Sequence, residues 1–102
     1  MSDTTQFTGK QRRHLRALGQ KLTVTLYVGL DGVSDAVVQQ AHTELEAHEL
    51  IKIRVSENAP ASRHDIAAEL AARAHAELVQ VLGRTALLYR ARKDGPTIVL
   101  PS

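Results

Sequence analysis

The residues of this chain whose types and spacing best suit chemistry are a run of cations, and they suit the binding of phosphate. Five cations share the first stretch of the chain: Lys10, Arg12, Arg13, Arg16 and Lys21. No Asp or Glu occurs between Thr4 and Thr25. A surface of one charge sign is typical of contact with a nucleic-acid backbone. The alternative is a solvated helix face, although such faces usually mix both signs.

A glycine motif, formed by Gly29, Leu30, Asp31 and Gly32, lies between a predicted strand and a predicted helix. Free N–H groups at a helix start attract anions, and positions without side chains let a phosphate backbone approach. The same spacing is also ordinary turn chemistry. Asp31 opposes phosphate, because a carboxylate about 4 Å away costs on the order of 1 kcal/mol in water. Alternatively, Asp31 caps the next helix or accepts a hydrogen bond from a base or 2′-hydroxyl.

The elements around these residues follow from capping signals and periodicity. Thr8 and Gln11 form a capping box, so the first helix begins near Gly9, with Gly19 as its C′ residue. Alternating apolar residues predict a strand over 22–28. Apolar residues at every fourth position then predict a second helix over about 34–48, capped by Ser34 or Asp35.

The second half of the chain continues the alternation of helix and strand. The pattern of Leu50–Val55 predicts a strand whose Lys52 and Arg54 face solvent, unless the basic first helix lies nearby. Ser62 and Asp65 start a third helix with the inner stripe Ile66, Leu70, Ala71 and Ala74. Two strands, 78–82 and 86–91, flank a three-residue hairpin loop, and 97–100 forms a short edge strand. The fold class is therefore α/β: one compact domain, α-β-α-β-α-β-β, with helices packed on a mixed sheet.

The charges are unevenly distributed, which supports two interpretations. Residues 1–30 carry five Lys/Arg against one acid, residues 31–80 four against nine, and residues 81–102 four against one. A basic start and end favour one basic surface, if the two ends meet in the fold. The outer face of the second helix is predicted to carry Glu44, Glu46 and Glu49. The rival hypothesis is a small protein-interaction module that docks a basic partner, such as a ribosomal protein, through the acidic middle segment.

Other functional classes lack their signatures in the sequence. There is no Cys, and none of the five His residues has the spacing of a metal or catalytic motif. Glycine-rich nucleotide-binding motifs are also missing. We expect no enzyme activity, no cofactor, no metal, no small-molecule substrate and no membrane contact, in a cytoplasmic protein that is a monomer.

Four segments together resemble a known family, the CRM domain, and more closely its stand-alone YhbY-like bacterial form. They are T-G-K-Q-R-R-H-L-R-A-L, V-G-L-D-G-V-S, H-E-L-I-K-I-R-V and V-Q-V-L-G-R-T-A-L-L-Y-R. The resemblance covers residues 8–101, preceded by a flexible N-terminus, 1–7. It implies a fold related to the C-terminal domain of translation initiation factor three. It also implies binding to structured RNA and association with precursors of the large ribosomal subunit.

The resemblance also implies which residues contact RNA. The family's RNA-contacting loop falls on Gly29, Leu30, Asp31 and Gly32, and its basic first helix on Lys10, Arg12, Arg13 and Arg16, with Lys21 following. Arg84 in the hairpin and Arg90 after Tyr89 are further candidates. The middle pair of the loop departs from the family, in which it is often polar or basic. One Phe, two Tyr and no Trp argue for recognition of shape and backbone over base stacking.

Overall fold

The computed structural model describes residues 7–102, which fold into three helices and four strands. In chain order the elements are α1 (Gly9–Gln20), β1 (Val24–Val28), α2 (Asp35–His48), β2 (Leu50–Val55), α3 (Arg63–Arg73), β3 (Glu77–Leu82) and β4 (Thr85–Tyr89). This is the predicted α/β arrangement, so the fold class is confirmed. The predicted flexible N-terminus, residues 1–7, lies outside the described residues except for Phe7. Its ring packs edge-on against Tyr89.

The four strands form one mixed sheet in the order β1-β2-β4-β3. β1 runs parallel to β2, as expected of two strands joined by a helix, and β4 pairs antiparallel with both β2 and β3. Because successive side chains of a strand point to opposite sides, the sheet has two faces with different coverings. The division of the helices between these faces decides which side chains stay open to ligands.

One face of the sheet is covered by α2 and α3. Ile51 and Ile53 of β2 meet Leu45 of α2 and Leu70 of α3 there, and all four are at most 2% exposed. Burying a side chain of this size contributes about 1.5–3 kcal/mol. Because this layer holds the larger of the two apolar clusters, it supplies most of the apolar core. The predicted inner stripe of α3 is confirmed, since each of its members is buried: Ile66, Leu70, Ala71 and Ala74.

The opposite face is covered only in part, by α1 and the C-terminal segment. Leu15 of α1 is fully buried and belongs to one apolar cluster with Leu50, Leu87 and Tyr89. Side chains of the last residues, among them Leu100, pack against the same cluster. Towards β1 and the β3–β4 turn, this face carries exposed apolar and basic side chains instead.

The end of α1 differs from the prediction. Gly19 is not the C′ residue, because the helix continues to Gln20 and Lys21 is its C-cap. Gly19 is buried against Leu87, whose side-chain carbons lie where a Cβ at position 19 would be. The glycine therefore serves the close approach of α1 to the sheet. The following strand begins at Val24, and Leu22 packs into the cluster beneath α1.

Two predictions about the last third of the chain were wrong. The hairpin turn has two residues, because Leu82 pairs with Thr85, and Gly83 supplies the positive φ of +59° that it needs. Residues 97–100 are not a strand. The N–H groups of Thr97 and Ile98 both donate to the carboxylate of Glu49, so a buried side chain holds this segment in place of a strand partner.

Candidate nucleic-acid interface

The cationic side of α1 is oriented by the N-cap of the helix and by its narrow apolar stripe, Leu15 and Leu18, which packs against the sheet. The predicted capping box is confirmed: Thr8 Oγ1 accepts from the Gln11 N–H at 3.1 Å, and Gln11 Oε1 accepts from the Thr8 N–H at 3.1 Å. With Leu15 against the sheet, four cations lie at the surface, exposed or half-buried: Lys10, Arg13, Arg16 and Lys21. Within residues 7–102, no carboxylate oxygen lies within 4.0 Å of them. Their charge is available to a ligand.

Arg12 lies apart from these cations, since its side chain turns towards the sheet. Its guanidinium donates to the carbonyl oxygens of Val79 at 2.6 Å and Leu78 at 3.3 Å, and lies 5.7 Å from the Phe7 ring centroid. The register of β3 shifts between Leu78 and Gln80, so Arg12 bonds the carbonyls of an irregular edge strand. The guanidinium of Arg12 therefore stabilises the contact of α1 with β3.

The Gly-x-x-Gly loop is a closed turn in which the two glycines differ. The Gly32 N–H donates to the Gly29 carbonyl at 3.0 Å. Gly32 has a φ of +64°, and a Cβ there would lie 2.8 Å from Pro60 Cγ, so the fold requires glycine. A Cβ at Gly29 would have no atom within 4 Å, and its φ lies outside the positive region. The fold does not require glycine at position 29, which leaves open backbone for a ligand.

The start of α2 settles one alternative for the loop. Ser34 is the N-cap, and its hydroxyl accepts from the Val37 N–H at 3.2 Å. Asp35 of the first turn pairs with Arg73 of α3 at 2.7 Å. The alternative in which Asp31 caps α2 was therefore wrong. Asp31 and Leu30 are both exposed at the tip of the loop, Leu30 by 70% of its surface.

Between α1 and the loop lies a part of the sheet without a helix above it, which we call the open half. Its side chains come from all four strands, on the face that α1 partly covers: Tyr27, Lys52, Arg54, Gln80, Leu82 and Thr85. Lys52 and Gln80 line a small cleft with Gly19 and Gln20 at the end of α1. The cationic side of α1 thus continues onto the sheet.

Lys52 and Arg54 are the candidates that the sequence interpretation set aside as facing solvent. They alternate with Ile51 and Ile53, which pack under α2 and α3, and so point to the face on which α1 sits. The condition attached to that interpretation, that the basic helix lies nearby, is met by the cleft that Lys52 shares with α1. The alternation gave the signal, but only the packing of α1 shows that these cations extend its surface.

Arg84 and Arg90 are not part of the same arrangement. Arg84 lies in the hairpin turn with its Nε 3.7 Å from a carboxylate oxygen of Glu57, at the rim of the open half. Arg90 points to the opposite face. Its guanidinium donates to the Ala74 carbonyl at 2.6 Å and lies 3.0 Å from His42 Nδ1 and 3.1 Å from Glu46 Oε2. With its side chain only 19% exposed, Arg90 joins α2 to α3.

The acids near the end of α2 do not share one outer surface. Glu46 pairs with Arg90, and one carboxylate oxygen of Glu44 is buried. Glu49 was predicted on the outer face, which was wrong: it is fully buried, at the C-cap of α2 with a φ of +66°. An acidic docking surface would therefore have to form without Glu49.

Glu49 is the anchor of the C-terminal segment. Its two carboxylate oxygens accept four hydrogen bonds at 2.7–2.8 Å, from the N–H groups of Arg92, Thr97 and Ile98 and the hydroxyl of Thr97. Burial alone raises the pKa of this carboxyl, but these donors outweigh it and lower the pKa from 4.5 to about 2. The segment that closes the cluster beside α1 is thus held by a buried charge.

Residues 7–102 contain neither a metal-binding cluster nor a membrane-spanning helix. No group of three or more His, Asp or Glu side chains there is arranged to hold a metal ion. His42 and His75 approach each other, with ring centroids 6.3 Å apart, but the group beside them is the Arg90 guanidinium. None of the helices in this part of the chain is long and apolar enough to cross a membrane.

The chain is similar in sequence to proteins whose names refer to RNA binding. The chain is 40% identical over 94 residues to the probable RNA-binding protein YqeI of Bacillus subtilis, covering 92% of this chain and 98% of that protein. It is 31% identical over 83 residues to a probable RNA-binding protein of Pseudomonas aeruginosa, covering 81% and 80%.

A solved structure extends the comparison to the fold. The solution structure of SAV1595 from Staphylococcus aureus, described as a candidate RNA-binding protein, matches with a TM-score of 0.78 and 34% identity. The match covers 94% of this chain and all of that one. The sequence profile of the CRS1/YhbY (CRM) domain spans residues 7–90. The chain is therefore a member of the CRS1/YhbY (CRM) domain family.

Proposed function

We propose that this protein binds structured ribosomal RNA during assembly of the large ribosomal subunit, and that it does so without catalysing a reaction. The observation that carries the proposal is a set of cations without a carboxylate partner within residues 7–102, all on one side of the sheet. They are Lys10, Arg13, Arg16 and Lys21 of α1 and its cap, with Lys52 and Arg54 of β2. The names of the relatives refer to RNA binding and so support RNA as the class of ligand.

The geometry favours contact with the phosphate backbone. The cations extend from a helix across a sheet towards the Gly29–Gly32 loop, and open backbone at Gly29 leaves room for a phosphate. Folded RNA is recognised largely through its shape, its phosphates and its 2′-hydroxyl groups. Asp31 is the exposed carboxylate of the loop, and in this proposal its role is to accept a hydrogen bond from a hydroxyl or a base. Arg12 and Arg90 support the fold instead of the ligand.

The cellular part of the proposal is tested by crosslinking the protein to RNA in cells and sequencing the RNA recovered. We expect enrichment of precursor large-subunit ribosomal RNA, in a cytoplasmic protein that elutes as a monomer. The double substitution Arg13→Ala/Arg16→Ala should reduce the recovery severalfold. Lys93→Glu is the matched control, because it changes net charge equally at an exposed position beside Glu46.

Two results of the crosslinking experiment would contradict this proposal. Recovery dominated by messenger or transfer RNA would retain RNA binding and overturn the ribosomal role. Recovery no greater than that of an unrelated protein of similar charge would overturn RNA binding itself.

A further inference from the structure

Two of the most exposed apolar side chains in residues 7–102 lie in one row across the open half of the sheet. Tyr27 and Leu82 are each 65% exposed. Tyr27 of β1 pairs in register with Arg54 of β2, Arg54 with Thr85 of β4, and Thr85 with Leu82 of β3. Partners in register point to the same face, so Tyr27, Arg54, Thr85 and Leu82 form a continuous row, which we call the strand row.

The packing of the protein leaves the strand row uncovered. On the same face, α1 buries Leu50, Val79, Leu87 and Tyr89, which lie nearer the other end of the strands. The contact of α1 with the sheet reaches Leu87 through Gly19. Two residues nearer the start of β4, Thr85 lies with Leu82 in the cleft at the end of α1. An exposed tyrosine here is therefore not explained by the core.

The composition of the row fits a nucleotide better than an apolar partner. An aromatic ring offers its face to a base, which stacks regardless of base identity, and a neighbouring cation holds the phosphate. Arg54 lies one strand from Tyr27, and Lys52 lies on the same face two residues back along β2. Thr85 Oγ1 donates to the Leu82 carbonyl at 2.9 Å and can still accept a hydrogen bond. The acid at the rim is Glu57, which is paired with Arg84.

We propose that the strand row binds a short unpaired stretch of RNA, with one base stacked on Tyr27 and the adjacent phosphate on Arg54. Three strand spacings give the row a length of about 14 Å, enough for a few nucleotides. This inference rests on the proposed function and specifies the form of its RNA. The ligand combines a folded part, held by α1, with unpaired nucleotides, held by the sheet.

The chain itself provides a direct optical test. It contains no Trp and two Tyr, of which Tyr89 is 6% exposed and Tyr27 is open. A base stacked on Tyr27 should quench tyrosine fluorescence when a pyrimidine-rich ten-nucleotide single strand is added at low salt. Tyr27→Phe should keep the affinity and lose the quenching, because the ring remains and Tyr89 is out of reach.

Affinity measurements with two probes complete the test. Tyr27→Ala should bind the single strand about tenfold more weakly, with an unchanged salt dependence, and should bind a blunt RNA duplex as the wild type does. Arg54→Ala should weaken binding. It should also reduce the magnitude of the slope of log K against log salt by the contribution of about one phosphate contact. Val99→Ala is the control for loss of an exposed apolar side chain, since Val99 is 81% exposed in the C-terminal segment.

The outcomes separate this inference from the function on which it rests. Binding of the duplex alone, or an unquenched single-strand complex, overturns the strand row and leaves the proposed function standing. Equal losses for Tyr27→Phe and Tyr27→Ala would also overturn stacking. If the wild type binds neither probe, both proposals fall together.

Discussion

At the scale of single residues, the structure separates arginines that the sequence cannot distinguish. Arg12 and Arg13 are neighbours in a basic run, yet Arg12 bonds two carbonyl oxygens of β3 while Arg13 is exposed. Arg90 is likewise held between α2 and α3. The sequence shows where positive charge is concentrated. It does not show which guanidinium finds a carbonyl, because that depends on a strand distant in sequence.

Glu49 is the clearest residue that the sequence hides. Near the end of a helical pattern it resembles any other surface acid, but in the structure it has a positive φ at the C-cap and its side chain is fully buried. Its partners, Arg92, Thr97 and Ile98, lie more than forty positions away in the chain. A buried carboxylate with four donors is strongly stabilised in its charged form.

The lowered pKa of Glu49 gives a prediction about acid stability. Because the pKa is about 2 in the folded protein and 4.5 as the reference, the contribution is complete above about pH 4.5 and is lost as the pH falls towards 2. The shift corresponds to about 3 kcal/mol. Glu49→Gln should therefore lower the free energy of unfolding by roughly that amount at pH 6, measured by urea denaturation.

The pH dependence distinguishes this mechanism from a simple packing defect. The difference between wild type and Glu49→Gln should shrink steadily between pH 4.5 and 2, while Glu69→Gln, at an exposed position, should change little throughout. A difference that stays constant over this range would show that the charge of Glu49 does not provide the stability.

At the scale of secondary-structure elements, local signals predicted most of what the structure contains. The caps at Thr8, Ser34 and Ser62 are confirmed, and β2 has the predicted bounds. These features depend on residues a few positions apart. The end of α1 depends on the contact of Gly19 with Leu87, and the conformation of residues 97–100 depends on Glu49. Both partners are far away in sequence, and both predictions were wrong.

The two glycines of the Gly-x-x-Gly loop differ in what the fold asks of them, and only Gly29 belongs to the proposed RNA contact. Gly32→Ala should lower the free energy of unfolding by about 2 kcal/mol, because the positive φ and the contact with Pro60 both oppose a side chain. Gly29→Ala should leave the melting temperature unchanged or slightly raised. If phosphates approach Gly29 closely, the same substitution should weaken RNA binding severalfold.

Thermal unfolding and RNA titration of the two variants measure these effects separately. If the Gly29→Ala variant binds RNA as the wild type does, the loop is not part of the interface. The assignment of the basic surface of α1 would be unaffected by that result. Gly29→Ala that unfolds easily would instead contradict the open space around this position.

At the scale of the whole molecule, function depends on which face of the sheet each element occupies. The sequence predicted the order of the elements and the basic character of α1. It did not predict that α1 covers only part of its face, so that Lys52, Arg54 and Tyr27 remain open beside it. That arrangement follows from the narrow apolar stripe of α1, whose fully buried Leu15 meets one end of the sheet.

The distribution of charge over the whole molecule makes a small net charge compatible with RNA binding. The net charge of the protein is only +2. Several acids that balance the cations lie away from this face. Asp35 and Glu46 are paired with arginines on the side of α2 and α3, and Glu49 is buried at the end of α2. The charge of the proposed binding face is therefore larger than the net charge of the protein suggests, and this local charge is the one that a phosphate would meet.

The measurement that tests the central claim most directly is binding to precursor large-subunit ribosomal RNA across a salt series. With about six cations in contact, the slope of log K against log salt should be roughly −4 to −5, a loss of several hundredfold between 50 and 200 mM. Arg13→Ala/Arg16→Ala should reduce the magnitude of the slope by about 1.5, and Lys93→Glu should leave it unchanged. An unchanged slope in the double variant would contradict the assignment of the surface. No binding at low salt would contradict RNA binding itself and would favour the rival hypothesis, a module that docks a basic protein.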